Sequence, residues 1–128
     1  MNIHPGFVGC DVAKHHLDIF DARTGVYERI ANAEPEISAF AAALAGKGDL
    51  IVFEATGGCD RSLRAALAAA GCRFTRVNPG RARDFARAAG FLAKTDRVDS
   101  RMLAAMGGPL PGKVYAVFRP GSGPNARI

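Results

Sequence analysis

No apolar run in this sequence approaches the roughly 18 residues that a membrane span requires, so a transmembrane protein is excluded. The N-terminal stretch MNIHPGFVGCDVAK has no basic segment leading into a long apolar one, which leaves no signal-peptide pattern and predicts a soluble, cytoplasmic protein. Cysteine is scarce. Cys10, Cys59 and Cys72 cannot all pair with one another, none belongs to a C-x-x-C, and none stands at metal-ligand spacing from a histidine. A disulfide framework and a Cys/His metal site are thereby excluded, and the thiols are expected to be reduced and mostly buried. There is no internal repeat and no charge block longer than a few residues. What remains is 128 residues, 48% hydrophobic and 23% charged, enough for one domain with a core of its own and too few for a multidomain enzyme.

Charge is divided unevenly. Residues 1–60 hold nine acids and four bases, whereas 61–101 hold ten bases against Asp84, Asp96 and Asp99; residues 102–128 add three bases, giving +5 overall. A basic half in a chain of pI about 9.6 suits a phosphate polymer, although exposed basic helices are also common solvated faces.

Alternation over 7–12 predicts a first strand, Leu17, Ile19 and Phe20 a second, and 26–30 a third, with Arg23-Thr24-Gly25 turning between the last two. Pro35 suits a helix's first turn, and Ile37, Phe40, Ala41 and Leu44 carry the helical spacing over 34–45. Leu50-Ile51-Val52-Phe53 reads as a strand buried on both faces, stopping at Glu54. A helix over 60–70, a strand over 73–77, a basic helix over 81–89 and a last helix over 96–106 capped by Thr95 complete the order βββ-α-β-α-β-α-α. Residues 1–106 form the expected domain; 107–128, dense in Gly and Pro and with only Val114–Phe118 resembling a strand, read as a mobile tail. Phe40, Phe53, Phe74, Phe85 and Phe91 are expected in the core.

This order predicts an α/β mixed sheet whose carboxyl edge carries acids. Asp11 ends the apolar part of the first strand and Glu54 ends the fourth, so parallel pairing of the two would bring both to the edge where open α/β sheets bind ligands. On a helix over 96–106, Asp96 and Asp99 lie roughly 60° apart and could face the same point. Carboxylates gathered in one cleft repel unless cations neutralise them, and oxygen-only donors suit Mg²⁺ or Mn²⁺. Two such ions about 4 Å apart would support phosphodiester cleavage. On spacing alone the other reading stands level: strand-end acids at Asp11 and Glu54, a helix-dipole partner at Asp96, and a surface ion pair of Asp99 with Arg97 or Arg101.

VGCDVAKHHLDI, FEATGGCDRSLRAAL and RVNPGRARDFARAAGFLAKTDRVDSRMLA resemble the successive motifs of the N-terminal DEDD domain of IS110 insertion-sequence transposases, relatives of the pilin-gene invertases. The resemblance spans 8–106 and implies a RuvC-like member of the ribonuclease H fold. Its four acidic motifs fall on Asp11, Glu54, Asp96 and Asp99, which it makes the catalytic, metal-binding residues, with Mg²⁺ or Mn²⁺ as cofactor, two ions in all. It further implies DNA recombination, an element-encoded guide RNA, a homo-oligomer in the full-length protein, and a C-terminal domain whose serine attaches covalently to cut DNA. The chain stops before such a domain, so it reads as truncated, frameshifted, or one domain of a larger protein. Ser122 lies beyond the matched motifs and is no candidate nucleophile. Cys59-Asp60 replaces the family's usual aromatic followed by an acid.

Arg81, Arg83, Arg87, Lys94, Arg97 and Arg101 are the candidate nucleic-acid contacts, favoured as a group by the resemblance, though any one of them alone is better read as a solvated cation. Gly57 and Gly58 fit either a close phosphate approach or a plain strand-to-helix turn, and Lys14-His15-His16 reads as a surface turn. Two rivals remain: a non-catalytic nucleic-acid-binding fragment, and an actin-like ATPase half-domain, which the Val12-Ala13-Lys14 sequence disfavours because that class is glycine-rich after its first acid.

Overall fold

Alternating residues build β1 (Phe7–Val12), β2 (His16–Asp21) and β3 (Val26–Ala31) into an antiparallel meander. The computed structural model describes residues 6–54, 57–90 and 99–107. At the β2–β3 turn Gly25 takes φ 72°, the left-handed conformation a glycine accepts without cost, and its N–H donates to the Asp21 carbonyl at 2.8 Å. β4 (Leu50–Glu54) and β5 (Arg73–Val77) add in parallel, giving the order β3-β2-β1-β4-β5. α1 (Glu34–Leu44) and α2 (Arg61–Ala69) provide the crossovers, and α3 (Pro79–Ala88) and α4 (Ser100–Met106) follow β5. Three antiparallel strands continued by parallel ones form the mixed sheet that the element order predicts, in the ribonuclease H-like arrangement that the family resemblance implies.

The apolar run of β4 is explained by helices on both sides. Ile51 and Phe53 pack with Ile37, Ala41, Leu63 and Leu67 of α1 and α2, while Leu50 and Val52 pack with Ala82 of α3 and Leu103 and Met106 of α4. Each Val, Leu, Ile, Phe or Met side chain among them, when fully buried, contributes about 1.5–3 kcal/mol. Phe53 and Phe74 stack with centroids 5.7 Å apart, and Phe20 is also buried. Phe40 and Phe85 only pack at the core margins, and Phe91 lies outside the described residues.

α4 crosses directly over β1, and Gly9 is what lets it. A Cβ at Gly9 would lie 1.8 Å from the Ser100 carbonyl oxygen and 2.6 Å from the Ala104 nitrogen. The helix begins at Ser100, four residues later than the pattern predicts. Asp99 is its cap, extended at φ −109°, ψ 179°, its side chain accepting from the Met102 N–H at 3.0 Å. Asp99 therefore precedes the helix as its cap instead of lying within it. Asp96 and Thr95 lie outside the described residues, as do 108–128 with Val114–Phe118. At α3 the opposite adjustment occurs: Asn78 accepts from the Gly80 and Arg81 N–H groups and Pro79 takes the first turn, so the helix starts two residues early.

All three cysteines are free; Cys10 and Cys72 are buried and Cys59 is half-buried. Burial, and secondarily the Asp11 carboxylate, pushes the Cys10 thiol far above its ordinary range, and burial raises Cys72. Under native conditions at neutral pH a thiol reagent should label Cys59 rapidly and Cys10 only on unfolding, because the reactive species is the thiolate and access is required. Cys59→Ser should abolish the fast phase; a fast phase that survives in Cys59→Ser/Cys72→Ser, where only Cys10 remains, would contradict a closed β1 core.

Candidate functional site

Strand parity divides the sheet into two faces. Val8, Cys10 and Val12 point towards α1 and α2, which leaves Phe7, Gly9 and Asp11 on the face that α4 covers. The parallel register pairs Cys10 with Phe53, and continuing it by one residue sets Asp11 level with Glu54 on the neighbouring strand. Glu54 shares the parity of Leu50 and Val52, so it belongs to the same face as Asp11. On the other side of β1, Asp11 is directly opposite Asp18 of β2, and Asp18 is directly opposite Arg29 of β3. A lateral row Arg29–Asp18–Asp11–Glu54 thus crosses four strands at one level. Adjacent strands are spaced about 4.8 Å apart.

Arg29 grips Asp18 with both arms, Nε to Oδ1 at 2.7 Å and Nη2 to Oδ2 at 3.1 Å. The hydrogen bond and charge of Asp18 raise the Arg29 guanidinium above its ordinary value, and Asp11 adds to this at longer range. Because like charges opposite one another across an antiparallel pair are destabilising, Arg29 makes the Asp11/Asp18 pairing tolerable. Asp18 was not anticipated as part of the site. Its only signal is its place in the alternation, which becomes meaningful once the β1–β2 register is known.

α4 delivers the third acid. With the helix seated on Gly9, exposed Asp99 stands at its N-terminal end beside an open cleft of about 290 Å³ whose lining includes the acids Asp11, Asp18, Glu28 and Asp99 together with Tyr27 and Arg29. Desolvation first, and then the Asp99 carboxylate, push the Tyr27 phenol up, while Arg101 opposes them. The structure therefore brings Asp11, Glu54 and Asp99 to one edge of one face. Glu54 lies beyond Asp11 and outside that cleft's lining. Among the described residues, which exclude Asp96, no group of three acid, cysteine or histidine side chains is already gathered to hold a metal ion. The donor chemistry is nonetheless all oxygen, as hard divalent ions require.

Asn32 braces this end of the sheet, its side-chain amide donating to the carbonyls of Ala13 at 2.7 Å and Cys59 at 3.0 Å. The loop so tied contains Gly57 at φ 48° and Gly58 at φ 87°, values that a strand-to-helix turn by itself makes glycine-dependent. Lys14 and His15 are exposed at the β1–β2 turn, as expected of a surface turn.

Of the predicted basic contacts, Arg81, Arg83 and Arg87 are exposed on α3, whose buried Ala82 and Ala86 join the cluster containing Leu103 and Met106. They stand on the carboxylate-bearing side of the sheet. Arg87 approaches Asp84 at 3.8 Å, and Arg101 is half-buried on α4. Lys94 and Arg97 lie outside the described residues.

The IS110-type DEDD transposase family matches the chain over residues 8–121, which is 114 of its 128 residues. The chain belongs to that family. No curated protein matches it. The transposase match runs fifteen residues past Met106, so family character is not confined to the motifs of 8–106 but reaches into the segment read as a tail, and ends one residue before Ser122. Among the described residues no helix of this transposase domain is long and apolar enough to cross a membrane.

Proposed function

We propose that the chain is the metal-binding DEDD domain of a DNA transposase that acts by phosphodiester cleavage and strand transfer. The observation that carries this reading is the level placement of Asp11 and Glu54 on adjacent parallel strands, with Asp99 delivered to the same face by a helix that only a glycine at position 9 can seat. Asp11, Glu54 and Asp99, together with Asp96, hold two Mg²⁺ or Mn²⁺ ions. What those ions supply when bound is activation of the attacking oxygen and stabilisation of the leaving one. Arg29 orients Asp18 beside Asp11 and keeps its charge from adding to the site. Arg81, Arg83 and Arg87, with Lys94, Arg97 and Arg101, hold phosphates of DNA or of a guide RNA. The covalent step of recombination belongs to a serine of a C-terminal domain, in a homo-oligomeric full-length protein; Ser100 is buried at the first turn of α4 and is not placed to serve.

Binding of ions to the native state alone stabilises it by RT ln(1 + [L]/Kd), about 1.4 kcal/mol at a concentration tenfold above Kd. Melting in 10 mM Mg²⁺ against EDTA should therefore show a stabilised chain, with the gain lost in Asp11→Asn and in Glu54→Gln. A gain unchanged in both variants, or none in the parent chain, would remove the shared site.

A further inference from the structure

Arginines outside the basic segment discussed above converge on the other face of the sheet. α2 turns Leu63 and Leu67 into the core, which leaves Arg61, Arg64, Ala65 and Ala68 on a flank that meets β5, the edge strand among the described residues. Together with Phe74 and Arg76 they line an open groove of about 420 Å³. Its floor is small and apolar, and its walls carry three guanidiniums.

Beneath them lies Asp60, 0% exposed. Asp60 occupies the N-cap position of α2 but makes no cap hydrogen bond. Its Oδ2 instead accepts from Arg76 Nε at 2.5 Å, while Arg64 Nε stands 3.4 Å from the same oxygen. Among the described residues Arg64 Nε has no hydrogen-bond partner, and neither has Asp60 Oδ1. Asp60 thus anchors the groove from below, while the groove's own lining carries three arginines and, among the described residues, no acid. The groove is also placed to matter. Arg76 is in register with Phe53, one residue before Glu54 on the adjacent strand, so the guanidiniums and the carboxylate row share the carboxyl end of the sheet.

We propose that this groove is a second phosphodiester-binding site, in which Arg61, Arg64 and Arg76 hold the backbone of a nucleic-acid strand where it passes over the β5 edge away from the acids. Guanidiniums pair with phosphate oxygens through two parallel N–H donors, and the apolar floor accepts the sugar between them. A backbone is favoured over an acidic peptide because the groove adjoins the edge at which a family of DNA transposases carries its motif acids. The proposal rests on nucleic acid being the partner, but not on metal binding.

The test is fluorescence anisotropy of the full chain in EDTA with a labelled 20-bp DNA duplex and, separately, an RNA hairpin, over a range of salt. Arg61→Ala/Arg64→Ala should weaken binding and lower the log-log salt slope on duplex by about 1.8 units, two contacts at about 0.9 each. Arg61→Lys/Arg64→Lys should keep the slope. Whichever probe shows the change identifies the strand that lies there. If the double variant loses its cooperative melt, exposed Arg61→Ala alone should lower the slope by about 0.9. Parent-like slope and affinity in folded variants would overturn the groove while leaving the nucleic-acid reading intact. No binding of either probe by the parent chain would overturn both. Equal affinity for polyglutamate, lost in the same variant, would assign the groove to an acidic peptide and overturn the proposal.

Discussion

Gly9→Ala should destabilise the chain by about 3 kcal/mol or more, at the upper end of what overpacking a core costs. The reason is the identity of the atoms in the way. The new methyl would meet the Ser100 carbonyl oxygen at 1.8 Å, its carbon at 2.8 Å and the Ala104 nitrogen at 2.6 Å, all of them backbone of α4, so no side chain can rotate to make room. Relief requires lifting the helix. That exposes Leu103, Ala104 and Met106, each 0% exposed, and moves Asp99 away from Asp11. At about 4 °C per kcal/mol for a domain of this size, the melting temperature should fall by about 12 °C. Circular dichroism melts give the number, and stabilisation by Mg²⁺ should weaken in the same variant. A melt within about 2 °C of the parent would mean that α4 does not sit on β1.

The second large effect is expected at Arg76. Arg76→Ala leaves the fully buried Asp60 carboxylate with Arg64 at 3.4 Å and no hydrogen bond from it. Stranding one member of a buried ion pair costs 3–5 kcal/mol when both are enclosed. The Arg76 side chain is 31% exposed and Asp60 is at 0%, so solvent screens part of the interaction and about 2–4 kcal/mol is the appropriate range here. Urea denaturation of Asp60→Ala, Arg76→Ala and the double variant closes a cycle in which the double should be less destabilised than the sum of the singles by more than about 1 kcal/mol. Additive losses would show that the two residues act separately.

Much of the framework was legible because local chemistry and tertiary demand agree. The apolar run at 50–53 is a strand covered on both faces, and Pro35 and the turn at Gly25 stand where a first turn and a hairpin need them. Asp11 and Glu54 were legible as a pair because parallel neighbours bring strand ends together. The start of α4 was misread because Thr95, Asp96 and Asp99 are all competent caps in isolation. The cap in use is Asp99, and the helix it opens has its buried run, Leu103 to Met106, lying over Gly9. Asp60 was hidden too. The pattern places Asp60 only as the first residue of the helix over 60–70, and the packing of α2 against β5 is what turns its carboxylate to an arginine sixteen residues on. Asp18 and Arg29 required a register that hairpin geometry fixes and composition does not.

The convergence of the carboxylates on a divalent ion is the central claim, and paramagnetic broadening by Mn²⁺ tests it most directly. When Mn²⁺ is titrated into ¹⁵N-labelled chain, the amide signals at Asp11, Glu54 and Asp99 should broaden first. Those of the α1–β4 connection around Lys47 and Gly48, beside the opposite end of β4, should stay sharp. Asp11→Asn should suppress the effect. Broadening centred elsewhere, spread evenly over the acidic surface, or unchanged in Asp11→Asn would contradict a metal site at the carboxyl edge of β1 and β4.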